Sequence, residues 1–326
     1  RLGPRGYAFP GRHGQFNTNS IGGGTVKKVG SAITKVAPGD KVLLSFASCG
    51  SCINCKDDHP SYCLSFVPMN FSGKRLDGSG THSNKSGDMY AHFFGQSSFS
   101  RLTIANESSV VKVAPDTDLA LFAPLGCGLQ TGAGAVLNTL NVKPGTSLAV
   151  FGVGGVGMSA IMAAKIRKAK VIIAIDLQQS RLDLAKELGA THTLLGNDPE
   201  LVDKIRKCTD TNGVNFAVDC SGAPPVVGFM VESLTIRGKA ASVGAPSTEA
   251  TASIKIFEHL TAGKEYVGCC EGDAIPAKMV EFLMSEHAKG NYPIEKLITY
   301  YPIKDFDKAV EDAHSGVTLK PVLKWD

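Results

Sequence analysis

The chain has 326 residues, 43% of them hydrophobic and 20% charged, a length that suits two globular domains at about 100–200 residues each. That apolar content excludes disordered and collagen-like classes. Lys and Arg number 34 against 30 Asp and Glu, and a net charge of +4, dispersed along the chain, gives no argument for nucleic acid or an anionic membrane.

In chain order, residues 1–20 are rich in Gly, Pro, Arg and Asn and carry no usable period. Short β-type runs follow at 25–29, 41–46 and 109–113, separated by turn formers such as Pro38, Gly39 and Asp40. The polar stretch 77–88 reads as an exposed loop. After about Gly128 the pattern changes. Strands are expected at 147–151, 170–175, 216–219 and 239–243, with helices at 158–168 and 180–188 and helical pattern between Pro199 and Cys208. Strands alternating with helices imply an α/β fold with a parallel, doubly wound sheet. Helices at 277–287 and 304–313 and a strand at 320–324 close the chain. The uncharged stretch from Thr146 to Ala164 is broken by Gly152, Gly154, Gly155 and Gly157, so it reads as strand, turn and helix rather than a membrane span. The chain starts at Arg1 without the basic-then-apolar pattern of a secretion signal, and a cytoplasmic location is expected.

Four of the 9 cysteines, Cys49, Cys52, Cys55 and Cys63, lie close together. Two-residue gaps let a loop fold thiolates around one zinc at ~2.3 Å each, and four thiolates leave no open position, so the ion would be structural, one per chain. His59 inside the loop is then a solvated residue rather than a ligand. The second motif is Gly152, Val153, Gly154, Gly155, Val156 and Gly157, directly after a predicted strand and opening a predicted helix. Asp176 ends the next strand, about 20 residues further on. The glycines permit a tight turn and close approach of backbone to a pyrophosphate at the helix N-terminus. Asp176 would accept the adenosine ribose hydroxyls and repel a 2′-phosphate, which favours NAD over NADP. Arg181 reads equally as a helix-surface residue or a ribose contact. Cys208, Cys220, Cys269 and Cys270 are expected as small core or boundary residues.

These motifs, with the run from Pro124 through Cys127 and Thr131 to Gly132, the phrase His92-Phe93-Phe94-Gly95-Gln96-Ser97-Ser98-Phe99 and the loop Val243, Gly244, Ala245, Pro246, carry a resemblance. From roughly Gly22 to Lys324 the chain resembles the zinc-dependent medium-chain alcohol dehydrogenases, nearest in pattern to aryl- and benzyl-alcohol dehydrogenases. The resemblance implies a GroES-like, partly open β-barrel catalytic domain over 1–127, an NAD-binding Rossmann domain over 128–268, and a return to the catalytic domain over 269–326. It implies reversible oxidation of a primary alcohol, aromatic ones included, to the aldehyde, and a homodimer or homotetramer. By position, Cys127 would be a ligand of the catalytic zinc. Thr131, Val243 and Gly244 would border the nicotinamide, Val156 would belong to the cofactor turn, and Lys320 would reach the cofactor phosphates. Phe93, Phe94 and Phe99 read as core rather than as an aryl-substrate box.

The N-terminal segment departs from the family pattern. Where the family has His followed by Glu, this chain has Ser20 and Ile21, and no Cys precedes Cys49. His13, with no Glu after it, and His82, a lone loop residue, are poor substitutes, and His92, within the family phrase, is expected to line the cleft rather than to bind the metal. Two explanations stay open: residues 1–20 are altered relative to a functional parent, or the protein has lost the catalytic metal. The second would make it a silent or zinc-free NAD(H)-binding member of the family.

Overall fold

A computed structural model of the chain describes residues 22–80, 82–85, 87–89, 93–96 and 98–325. Two compact units emerge. The first holds the described residues up to Cys127 with Ala274–Ser285 and the segment from Ile294 onward, and the second holds Gly128–Asp273 and Glu286–Pro293.

In the first unit β1 (Gly23–Thr25) pairs antiparallel with β2 (Lys41–Leu44), Gly23 opposite Leu43 and Thr25 opposite Lys41. The helices α1 (Ile53–Lys56) and α2 (Phe66–Asn70) lie in and after the cysteine-rich segment. Then come the hairpin strands β3 (His82–Asn84) and β4 (Gly87–Met89), and β5 (Val110–Val113), which completes the order β1-β2-β5. The short helix α3 (Leu119–Phe122) is capped by Asp118, whose carboxylate accepts the amides of Ala120 and Leu121.

Two local expectations shift here. The strand expected at 25–29 runs instead over Gly23–Thr25, because the ladder ends where Val26 closes onto Asp40 and Gly39 at the turn. The loop expected at 77–88 contains β3 and the start of β4. Three-residue polar strands have no alternation to read, and Gly87, at φ 115°, supplies the turn. Of the aromatic residues expected as core, Phe94 is buried and Phe93 and Phe99 are half-buried. Phe94 packs edge-on to Phe93 with centroids 4.6 Å apart, Phe71 meets both at 5.5 Å, and Phe99 meets Phe306 at 5.5 Å.

The second unit opens with α4 (Gly128–Gly134) and alternates β6 (Ser147–Phe151), α5 (Gly155–Ile166), β7 (Val171–Asp176), α6 (Gln179–Leu188), β8 (His192–Leu195), α7 (Leu201–Lys207), β9 (Val214–Asp219), α8 (Pro224–Glu232), β10 (Leu234–Ser242), α9 (Ile256–Ala262) and β11 (Glu265–Gly268). The strands form one parallel sheet in the order β11-β10-β9-β6-β7-β8. The chain moves outward from β6 in both directions, as a doubly wound sheet requires. All five residues of β6 are buried, as a central parallel strand covered on both faces demands. One face packs Phe151, Ile173, Ile175 and Ala217 against Leu201, Ile205, Met230 and Val231. α5 is buried from Val156 to Ala164, which accounts for the uncharged stretch in the sequence. Gly132 of α4 lies so close that a Cβ there would stand 1.9 Å from the Val156 carbonyl oxygen.

This unit runs past 268 for a packing reason. A Cβ on Gly134 would stand 2.1 Å from the Gly272 oxygen, and Asn138 donates to the Gly272 carbonyl at 3.0 Å, so residues 269–273 belong with α4. The residues around Tyr292 belong here too, since its hydroxyl meets Ser159 Oγ at 2.5 Å in the core.

The helix α10 (Pro276–Ala288) leads to the pair β12 (Ile298–Pro302) and β13 (Lys320–Lys324), parallel to each other, with α11 (Phe306–Ser315) between them in sequence. Tyr301 fastens this segment by donating to Asp312 at 2.7 Å. Among the described residues no single helix is long and apolar enough to cross a membrane.

Candidate functional site

The four cysteines converge. Their sulfurs all lie within 4.8 Å of one another, and Cys49 Sγ is 3.9 Å from Cys55 Sγ. A tetrahedron with metal–sulfur bonds of ~2.3 Å has edges of about 3.8 Å, so the cage has the size of a zinc site. Gly50, at φ 68°, turns the chain back so that the amides of Ser51 and Cys52 donate to Cys49 Sγ at 3.5 and 3.3 Å. The Ser51 amide and hydroxyl, ahead of the Cys52 amide, bring the Cys49 thiol down to about 5, the direction a thiolate ligand requires. Cys63 accepts the Cys49 amide at 3.2 Å and is buried, and burial pushes its thiol up. His59 stands outside the cage, its ring 3.8 Å from Asp57 and half exposed.

The glycine motif spans the turn from β6 into α5. Gly152 has φ 83°, and a Cβ on it would press on Ser221 at 2.9 Å. A Cβ on Gly157 would stand 2.1 Å from the Gly152 oxygen, so helix and turn touch backbone to backbone. Gly154 and Gly155 are different: a Cβ on either meets nothing within 4 Å. The space above these two residues is therefore open, at the end of a helix whose first amides carry partial positive charge.

Asp176, at the end of β7, is buried. Its Oδ2 accepts the Val153 amide at 2.8 Å and its Oδ1 the Gln178 amide at 3.0 Å, which ties the glycine turn to the neighbouring strand. A carboxylate has about four lone-pair sites, so acceptor capacity remains. Arg181 reaches to 3.7 Å from Asp176 Oδ2, and its Nε is buried without a hydrogen-bond partner among the described residues. Buried Thr131 Oγ1 likewise lacks one. Such orphaned polar atoms, beside a backbone cradle left open, fit a polar dinucleotide.

Val243 and Gly244 follow β10, and both amides donate to the Asp219 carbonyl, at 2.9 and 3.0 Å. Asp219 itself was legible only as a strand end, yet it sits at the centre of the loops after β6, β9 and β10. Burial raises its carboxyl above the ordinary carboxylate range, opposed by hydrogen bonds from Ser221 and Gly222. Burial also raises the thiols of Cys208, Cys220, Cys269 (to about 12) and Cys270, as for core thiols without a reactive role.

Cys127 is buried at the end of the first unit, after the turn in which Ser45 Oγ donates to the Gly126 carbonyl at 2.6 Å. The four-cysteine cage is the one cluster of metal-ligating side chains among the described residues, and Cys127 is not in it. Described residues alone do not supply a catalytic zinc site. Ser20, Ile21, His13 and His92 lie outside the described residues, and His82 falls in β3. Lys320 opens β13 in the first unit, buried and opposite Ile298.

Known proteins match along most of the chain. Residues 15–115 match the alcohol dehydrogenase GroES-like domain and residues 155–285 the zinc-binding dehydrogenase domain. Geraniol dehydrogenase from Castellaniella defragrans is 40% identical over 307 residues, 93% of this chain and 81% of that protein. S-(hydroxymethyl)glutathione dehydrogenase from Saccharomyces cerevisiae is 34% identical over 313 residues, 94% of this chain and 81% of that protein. The crystal structure of benzyl alcohol dehydrogenase from Acinetobacter calcoaceticus superposes with a TM-score of 0.87 at 39% identity, covering 93% of this chain and 82% of that one. With a parallel six-stranded sheet in one unit and an antiparallel sheet beside a four-cysteine cage in the other, this chain belongs to the zinc-binding alcohol dehydrogenase family.

Proposed function

We propose that the chain is an NAD-dependent oxidoreductase that interconverts a primary alcohol, aromatic alcohols included, and its aldehyde. The carrying observation is the β6–α5 turn, open above Gly154 and Gly155 and flanked by buried Asp176. Bound NAD would supply the hydride acceptor for the carbinol carbon. The amides at the start of α5 meet the pyrophosphate, together with Gly152, Val156 and Gly157. Asp176 takes the ribose hydroxyls, with Arg181 beside it, and Thr131, Val243 and Gly244 border the nicotinamide. The relatives named for geraniol and benzyl alcohol support the substrate class. Cys49, Cys52, Cys55 and Cys63 hold one structural zinc, which calls for the reducing conditions of the cytoplasm. Cys127 and Lys320 keep the roles that the family resemblance implies for them.

The test is titration with NADH followed by NAD reduction in the presence of benzyl alcohol or geraniol. NADH binding with aldehyde formation is expected; failure to bind NADH overturns the proposal. Asp176→Ala is expected to weaken NADH by about 10–100-fold, the scale of a charge-assisted hydrogen bond, and to improve NADPH relative to NADH. An unchanged NADH to NADPH ratio would remove Asp176 from the ribose site.

The partner we propose for the second unit is another copy of the chain. β11 is an open sheet edge, and α9, joined to it through left-handed Gly263, exposes Ile256 (81%), Phe257 (75%) and Leu260 (72%). An edge strand beside an apolar helix can meet itself across a two-fold axis, continuing the sheet and covering the helix. Light scattering should find a dimer or tetramer that Phe257→Glu dissociates. A monomeric wild type would refute it.

A further inference from the structure

We infer that Asp219 is a positioning residue for the cofactor: its carboxylate fixes the turn of Ser221 and Gly222 as a wedge that sets the glycine turn after β6 and the loop after β10 in place. The inference rests on the NAD reading above.

The sheet register brings three loop origins level. Phe151 of β6 and Ser242 of β10 lie on either side of Asp219, so the chain leaves all three strands at the same height. From there one carboxylate oxygen of Asp219 accepts three donors: the Ser221 amide at 2.8 Å, the Ser221 hydroxyl at 2.6 Å and the Gly222 amide at 3.2 Å. Its carbonyl oxygen takes the amides of Val243 and Gly244, and the Cys220 amide donates to Phe151 at 2.8 Å. Asp219 thus bonds forward into its own turn and sideways into the loop after β10.

The turn touches both neighbours through backbone. A Cβ on Gly152 would meet the Ser221 amide at 2.9 Å, and a Cβ on Gly244 would meet the Gly222 amide at 2.1 Å. Contacts of this kind leave no slack for a side chain to absorb, so a shift in the Ser221–Gly222 turn passes to both loops. Asp219 is 2% exposed, and none of the ion pairs found among the described residues includes it. Its burial is offset by hydrogen bonds, and removing the acceptor takes the partner from two amides and a hydroxyl of a part-buried turn. Asp176 ends β7 and Arg181 stands in the first turn of α6, on the far side of β6. The adenosine half of the cofactor should therefore be spared by changes at Asp219, whereas the pyrophosphate and nicotinamide half is exposed to them.

The experiment titrates the purified full chain and its Asp219→Ala and Asp219→Asn variants with NADH and, separately, with AMP. Asp219→Ala is expected to weaken NADH about 10-fold, equal to about 1.4 kcal/mol, with AMP held within about twofold. Asp219→Asn keeps an acceptor oxygen in the same place and should restore NADH affinity to near wild type. NADH binding unchanged in Asp219→Ala, or AMP lost in step with NADH, overturns the inference. If Asp219→Ala does not fold, Ser221→Ala removes the hydroxyl that donates to Asp219 and accepts the Ala223 amide; a loss of about threefold for NADH and none for AMP supports the inference, and wild-type behaviour overturns it. A wild type that binds neither nucleotide overturns the NAD reading and the inference with it, whereas wild-type binding with an unaffected variant overturns the inference alone.

Discussion

Replacing Cys49, Cys52, Cys55 and Cys63 together by Ser should take the zinc content from about one ion per chain to none and unfold the loop that carries them. The cage has the dimensions for zinc, with an observed sulfur–sulfur distance of 3.9 Å. Little else holds the loop. Ile53 and Leu64 are exposed, α1 buries no residue, and Cys63 and Ser61 are its buried side chains. Apparent zinc affinities of about 10–16 kcal/mol in small thiolate sites mean that folding of such a loop is coupled to the metal. Elemental analysis and limited proteolysis check this: the variant should be zinc-free and cleaved between 49 and 63. A metal-free loop that resists protease would show that the thiols pack without an ion. A wild-type content of about two would require a second site drawing on residues outside those described, with Cys127 as its expected thiolate.

Gly157→Ala should abolish tight NADH binding, raising the dissociation constant more than about 10-fold, and lower stability by about 1–3 kcal/mol. The added methyl would stand 2.1 Å from the Gly152 oxygen and 3.3 Å from Val150 Cγ1, so the turn must move away from the helix. Gly154→Ala is the informative control. Its methyl meets no protein atom within 4 Å, so thermal stability should stay near wild type while NADH binding weakens. Unchanged NADH affinity in Gly154→Ala would show that the diphosphate does not approach there. Equal loss of stability in both variants would show that the open space is not open in solution.

The parts of this fold legible beforehand are those encoded by neighbours in the chain. The strand at Ser147–Phe151 and the closing strand Lys320–Lys324 coincide with their apolar runs, and α6 begins within one residue of its expected start. Elements set by partners were not legible. α8 starts with Pro224 and Pro225 and lies outside every expected helix, although Pro suits a first helical turn. β11 is a sheet edge with largely exposed residues, so it carries no apolar run, and β8 alternates too weakly to separate from a loop. β10 begins five residues before the expected 239, at Leu234, because its first part pairs irregularly with β9.

The candidate sites divide in the same way. Ligand spacing determined the cysteine cage, and turn chemistry plus the following Asp176 determined the nucleotide cradle, because a metal or a phosphate recruits groups a few residues apart in the chain. The backbone approaches were decided by tertiary structure: Gly132 against Val156, Gly134 against Gly272, and Ser221 and Gly222 wedged between Gly152 and Gly244. So was the position of Asp219 level with Phe151 and Ser242. These depend on strand register and close packing between segments 22 to 138 residues apart, distances at which no local pattern of residue types carries information.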